Sequence, residues 1–242
     1  MKLSVALFFA GIFGALATVF VLLSFGTDYW LLASETKCKT DLTGALERGH
    51  AENTSTFYHE GFFWRCSFDG STSMEQDPLR IFWFMFVPTA NQSHGKTCIP
   101  AYFFPFPLSL QTHNATTYDS AIIYRGFWSV FMLLGVTAVV LGGFIIICAA
   151  PFASHCLYKA GGGLYLIAGF FLLSVTVMFV IWLEVLDIVD IYVGQKSHLY
   201  PNFHLTICYG LSFIFAPVGV FFCLLAGLLF FLIGRSMQMH CH

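Results

Sequence analysis

Four stretches of this sequence contain no Asp, Glu, Lys or Arg: Leu3 to Thr27, Gly126 to Tyr158, Ala160 to Leu183 and Ser197 to Gly234. Each offers about 20 apolar residues or more, enough to cross a ~30 Å hydrocarbon core as helix. Lipid gives backbone N–H and C=O groups no partner, so a span has to be helical. This places spans at 4–25, 127–149, 163–184 and 207–233. Between them lie a long loop at 26–126, short segments at 150–162 and 185–206, and a tail at 234–242. The composition agrees, with 57% hydrophobic and only 10% charged residues, against about 25% charged in soluble domains. A net charge of -2 argues against a nucleic-acid surface, which would be basic, and against an acidic disordered tail.

Two segments compete with this layout. Thr97 to Tyr118 also lacks Asp, Glu, Lys and Arg, but Pro100, Pro105 and Pro107 break a helix there, so it reads as folded loop. Lys2 followed by an apolar run and Ala15-Leu16-Ala17 resembles a cleavable signal peptide. The apolar run continues to Leu23, too long for such a leader, so the expectation is a retained anchor.

Two cues orient the chain. Lys2, Lys159 and Arg235 fall in the N-terminus, the middle loop and the tail, none of which holds an acid. Basic residues collect on the cytoplasmic side, so both termini are expected there. The N-glycosylation acceptors Asn53, Asn91 and Asn114 all fall in the long loop, which must then face outward.

The 26–126 loop is long enough to hold its own core. Its aromatic runs are Phe57, Phe62, Phe63, Trp64 and Phe68, then Phe82 to Phe86, then Tyr102 to Phe106. They are short and lie near turn residues, which favours strand. The expectation is an antiparallel sheet at the outer end of the helices. Three of eight cysteines lie here, Cys38, Cys66 and Cys98, in an oxidising compartment that favours a disulfide. One is left over or pairs elsewhere, and Cys208 is a conceivable partner. Cys148 and Cys156, around the middle loop, are either S-palmitoylation sites or ordinary thiols. Cys223, mid-span, reads as packing.

Trp30 after the first span, Gly61-Phe62-Phe63-Trp64-Arg65-Cys66, and Arg125 before the second span resemble the claudin and peripheral-myelin-protein superfamily. Its mark is a Trp, a Gly-Leu-Trp-x-x-Cys motif, a second Cys and a closing Arg. Trp30, Gly61, Cys66 and Arg125 take those places. Phe63 stands where the motif Trp belongs, with Trp64 one place late, and the second Cys comes later than usual. The resemblance implies an α-helical membrane protein, a four-transmembrane-helix bundle with an extracellular antiparallel β-sheet domain. It also implies pairing of Cys66 with Cys98, leaving Cys38 unresolved. A closer likeness, through Phe25 to Ala33, Tyr118 to Trp128, Cys148 to His155 and Tyr158 to Gly163, is to a muscle-enriched member of the family. It implies a cell-surface protein that binds integrin β1 and restrains myoblast differentiation and fusion.

The remaining motifs have plainer readings. Ala10-x-x-x-Gly14, Gly11-x-x-x-Ala15 and Ala138-x-x-x-Gly142 suit close helix approach, either for a homo-oligomer or, as favoured here, inside the bundle. Pro217 predicts a kink. Glu184, Asp187 and Asp190 suggest a cation site or, more simply, a solvated helix end. Met239-His240-Cys241-His242 holds metal-ligand types but reads as a frayed terminus. Ile81 to Val87 is a buried strand or an exposed edge. No His-Glu-x-x-His, Gly-x-Ser-x-Gly or P-loop occurs, and no acidic or basic residue lies mid-span to carry ions or protons. Neither an enzyme nor a cofactor is expected. Three functions follow in order: a claudin-like adhesion or signalling modulator, a tight-junction claudin, and an auxiliary subunit of an ion channel. The second is disfavoured because the tail ends in His242, without the apolar terminal residue that PDZ folds grip.

Overall fold

The computed structural model describes residues 3–37, 54–71, 97–101, 115–152, 154–184, 188–198 and 203–240. They form two compact units. One is helical: α1 (Leu3–Gly26), most of α2 (Ala115–Phe152), most of α3 (His155–Glu184) and α5 (Leu211–His240). Each of these four is long and apolar enough to cross a membrane. The other unit, Asp28–Ile122 with Trp182–Leu211, holds β1 (Leu31–Lys37), β2 (Thr54–Glu60), β3 (Trp64–Ser71), β4 (Thr97–Pro100), α4 (Ile188–Ser197) and β5 (His204–Tyr209).

The helices run past the limits set by the charge-free windows. Residues 115–126, assigned to the loop, begin α2, because no Pro or Gly interrupts the chain from Ala115 to Arg125 and helical bonding propagates outward. At the other extreme, residues 207–209 belong to β5 rather than to the last span. A charge-free apolar run cannot by itself distinguish strand from buried helix; here Gly210 divides them. Ser154 begins α3 as an N-cap, its carbonyl accepting the Tyr158 N–H at 3.2 Å. Helix α5 continues through Pro217.

Small residues set how closely the helices approach. On α1 the buried positions are Ala10, Gly14, Ala17, Val21 and Ser24, spaced alternately four and three apart, the seam of a left-handed helix pair. Polar groups stitch that seam. Ser24 Oγ donates to the Ser212 carbonyl at 2.9 Å, and the Thr27 and Ser212 hydroxyls share a bond of 2.6 Å. Tyr165 OH reaches the Gly14 carbonyl at 3.2 Å and lies 3.0 Å from the Thr18 hydroxyl. Phe20 stacks on Phe222 with centroids 5.8 Å apart, and Phe13 also stacks on Phe222.

The tightest crossing joins α3 to α5. A Cβ at Gly162 would lie 2.7 Å from the Phe231 nitrogen and 2.8 Å from the Gly227 carbonyl. One at Gly234 would lie 2.9 Å from the His155 carbonyl. Backbone meets backbone there, so no side chain can be accommodated without parting the helices. Gly142 of α2 likewise abuts Leu164, Tyr165 and the Gly161 carbonyl. Ala10, Gly14, Ala138 and Gly142 therefore pack inside the bundle. Gly11 and Ala15 lie on the exposed side of α1, and a Cβ at Gly11 meets nothing within 4 Å.

This contrast gives a test. Gly162→Ala is expected to lower stability by about 1–3 kcal/mol, the usual cost of overpacking, whereas Gly11→Ala should shift it by less than about 0.5 kcal/mol. Thermal denaturation of the two variants in detergent micelles measures both.

Candidate functional site

The outer unit is a five-stranded sheet in the order β4-β3-β2-β1-β5, with every neighbouring pair antiparallel. The expected sheet is present, but its last strand comes from the segment after the third span. β1 lies between β2 and β5, and residues Leu31 to Glu35 are buried on both of its faces. Trp30, 1% exposed, is pinned at the head of β1. Its N–H donates to the Glu60 carbonyl at 2.8 Å, and its carbonyl accepts the Gly210 N–H at 3.0 Å.

Gly210 and Gly61 are glycines because the backbone passes too close for anything else. A Cβ at Gly210 would sit 1.9 Å from the Tyr29 carbonyl oxygen, and one at Gly61 would sit 2.2 Å from the Asp28 Cα. Gly61 opens the β2–β3 hairpin turn, whose N–H donates to the Trp64 carbonyl at 3.0 Å. Phe63 and Trp64 at this turn are 42% and 47% exposed. Beside the turn Arg65 bonds Glu60 at 2.9 Å, an ion pair with both side chains largely buried. His59 is 2% exposed and stacks on Tyr29 with centroids 4.6 Å apart. Its Nδ1 lies 2.8 Å from the Asp28 carbonyl; a carbonyl only accepts, so Nδ1 carries the proton.

Cys66 and Cys98 face each other across β3 and β4 and form a disulfide. Cys38 lies outside the described residues. Cys208 is a free thiol in β5, opposite Leu32 of β1. Phe57 and Phe68 stack 5.4 Å apart as a cross-strand pair on the buried side.

The least expected group is Glu35, 1% exposed in β1. Tyr192 of α4 donates its hydroxyl to Glu35 Oε1 at 2.6 Å, and Tyr58 of β2 reaches Oε2 at 3.4 Å. Burial, then the bond to Glu35, pushes the Tyr192 phenol well above the ordinary tyrosine range. A buried carboxylate without donors would be costly; here it ties α4 to the sheet. Nothing in the sequence marked this pair, because Leu31-Leu32-Ala33-Ser34-Glu35 places the acid at the end of an apolar run, where it reads as the strand's exit to water.

Glu184 and Asp190 line a cavity of about 340 Å³ with Leu183, Val189, Leu205, Ile207 and Tyr209. Tyr209 OH donates to Glu184 Oε1 at 2.7 Å. Asp187, the third acid of the suspected cation site, lies outside the described residues. Among the described residues no three His, Cys, Asp or Glu side chains are gathered to hold a metal. The glycosylation acceptors Asn53, Asn91 and Asn114, the aromatic segments at 82–86 and 102–106, the apolar run 81–87 and the last two residues of the tail also lie outside them.

Residues 15–232 match the family model described as PMP-22/EMP/MP20/Claudin tight junction. The chain belongs to the claudin family. Curated relatives extend the match to nearly every residue. This claudin-family chain is 60% identical to Transmembrane protein 182 of Danio rerio over 252 residues, covering 98% of both. It is 50% identical to Transmembrane protein 182 of Gallus gallus, over 99% of both, and 47% identical to that of Homo sapiens, over 99% of this chain and 100% of the other.

The family motif is thus split between the two units. Trp30, Gly61, Phe63, Trp64 and Cys66 share the sheet. Arg125 sits on α2 in the helical unit, 7% exposed, with its guanidinium 4.5 Å from the Trp128 ring one turn along. Of the two thiols considered for lipidation, Cys156 is exposed and Cys148 half-buried. Cys223 is fully buried among the helices.

Two outcomes are expected. Tyr192→Phe removes a donor to a buried carboxylate and should cost about 1.5–3 kcal/mol of ectodomain stability, read from urea unfolding followed by tryptophan emission. Burial, then the Glu184 bond, raises the Tyr209 phenol to about 12. The unfolded chain loses that proton near pH 10, so the stabilisation is whole below pH 10 and disappears as pH climbs to about 12. Spectrophotometric titration of tyrosinate should show a late component near pH 12 that Tyr209→Phe abolishes.

Proposed function

We propose that this claudin-family chain is a plasma-membrane protein whose outer domain binds the ectodomain of a membrane partner, integrin β1. Through that contact it restrains myoblast differentiation and fusion. Both termini lie in the cytoplasm, and Asn53, Asn91 and Asn114 carry glycans. The mechanism is recognition rather than catalysis.

The observation that carries this reading is the construction of the outer unit. Five strands drawn from both outer segments, a disulfide, and buried polar ties at Glu35 and Glu60 make a rigid platform, the form that a binding surface needs if it is not to lose entropy on association. The choice of integrin β1 and of myoblast fusion rests on the likeness to Transmembrane protein 182. The exposed Cys156 thiol fits S-palmitoylation beside the membrane, which would add a lipid anchor without altering the outer domain.

A graft tests it. Residues 28–122 together with 182–211, transferred onto another four-span scaffold, should bring down integrin β1 from myoblast membranes and delay fusion. The first outer segment alone should fail, because β1 then lacks β5 and Glu35 lacks Tyr192. Transfer of binding by the four helices alone would overturn the reading.

A further inference from the structure

We propose that the open edge of β5 is a docking groove for an extended segment of a partner protein. The segment adds as a further strand, antiparallel to β5, and directs a Lys or Arg side chain at Glu184 and Asp190. Every residue involved belongs to the outer unit. The proposal rests on the reading of that unit as a recognition domain, and it assigns the surface and the partner's chemistry.

Strand pairing decides which edge of the sheet can accept a chain. Successive residues of a strand turn their main-chain groups to opposite sides. The Trp30 carbonyl takes the Gly210 N–H, so in the same register Leu32, Ser34 and Thr36 bond to Cys208, Thr206 and His204. Leu205, Ile207 and Tyr209 therefore turn their N–H and C=O groups away from β1. Among the described residues, Leu205 and Ile207 have no main-chain partner on that side. The other edge of the sheet is guarded. The Ala101 N–H donates to the Phe63 carbonyl at 2.8 Å, which pairs Arg65 with Ile99 and Ser67 with Thr97 and leaves only Cys98 and Pro100 of β4 facing outward. Pro100 has no N–H, and a short edge strand ending in proline is one way that sheets avoid adding a neighbour. β5, without Pro, Lys or Arg, has no such guard.

The same residues supply side-chain contacts. The cavity of about 340 Å³ is lined by Leu205, Ile207 and Tyr209 but not by Thr206 or Cys208, so it follows the one face of β5 on which those three side chains lie. Its volume is at the lower end of ligand clefts, which span ~300–1,000 Å³. That suits a few side chains of an extended segment rather than a folded element. Leu183 and Val189 give the groove an apolar wall, and Glu184 and Asp190, both exposed, give it negative charge. Among the described residues no Lys, Arg or His lines it. The Tyr209 hydroxyl donates to Glu184 at 2.7 Å and fixes where that charge sits. A segment that alternates apolar and basic side chains meets all of these features together. Its main chain extends the ladder, its apolar groups fill the groove and its cation faces the two carboxylates. A second copy pairing through β5 is the wrong occupant, since β5 offers no Lys or Arg to those carboxylates.

The test uses the full chain in phosphatidylcholine nanodiscs and fluorescein-labelled peptides followed by anisotropy. The probe is the peptide Ser-Val-Thr-Lys-Thr-Val-Ser. Laid antiparallel on β5 with its Lys opposite Ile207, it turns the Val and Lys side chains into the groove and the Val and Lys amides toward β5. It should bind. N-methylation of the Val and Lys amides should weaken binding about tenfold or more, whereas N-methylation of the Thr amides should change it by less than about twofold. Glu in place of Lys should weaken it by about tenfold. Ile207→Pro removes an outward-facing N–H and spares the ladder to β1, so it should abolish binding with the thermal midpoint retained. Asp190→Lys, at an exposed position, should bind the Glu peptide better than the Lys peptide, and it decides alone if Ile207→Pro fails to fold. Absence of binding, equal weakening by both methylation patterns, binding that survives Ile207→Pro, an unchanged preference in Asp190→Lys, or a signal reproduced by empty nanodiscs overturns the proposal. The peptide contains no integrin sequence, so a failed integrin graft leaves this result standing, and a failed peptide leaves the graft to be judged by its own readout.

Discussion

Strand β1 is paired along both edges, and the outer unit depends on that. On one side it takes β2, from the same outer segment; on the other it takes β5, from the segment after the third span. With both edges satisfied, its backbone has no need of water, and residues 31–35 can be buried on both faces. Trp30 is the keystone of this pairing, with its N–H and its carbonyl each bonded to a different neighbour. The family's first Trp is thus explained by backbone accounting as much as by the indole. A residue here must fill a large buried volume while its main chain links both halves of the sheet.

Burial of β1 explains the polar groups beneath it. Glu35 lies within the sheet core and survives there because two phenols face it, one of them at charge-assisted distance. Glu60 and Arg65 solve the same problem as an ion pair at the hairpin. Such arrangements tolerate loss of one partner poorly, since the other is then left desolvated. They fix register as well: slipping β1 by one residue against β2 would turn Glu35 away from Tyr192 and carry the buried set to the opposite face.

The spans were legible because lipid excludes charge, and the charge-free windows recorded that exclusion directly. Their ends were less legible. Helix α2 begins at Ala115 because residues that suit water can also be helical, and β5 was hidden because His204 to Tyr209 merges into the apolar run that follows. The sheet was visible through short aromatic runs near turn residues, and two of those aromatics, Phe57 and Phe68, face each other across β2 and β3. Helix α4 was not, being a ten-residue helix held through Tyr192 by a carboxylate on a distant strand and by the ring of Phe203. The displacement of the motif Trp has a structural meaning: Phe63 takes its place in the turn, and Trp64 becomes the first residue of β3. The pairing of Cys66 with Cys98 came from family resemblance, because spacing alone does not reveal that β4 runs beside β3.

The register that aligns Leu31 with Tyr209 has a consequence for biosynthesis. Strand β1 leaves the ribosome early, yet its second edge is completed only once β5, after the third span, has been made. During that interval β1 offers a bare row of amides and carbonyls. A chain truncated before β5 would keep that edge open indefinitely, an invitation to chaperone retention or to pairing with a neighbour, so quality control should recognise late truncations of this protein more sharply than early damage to its tail.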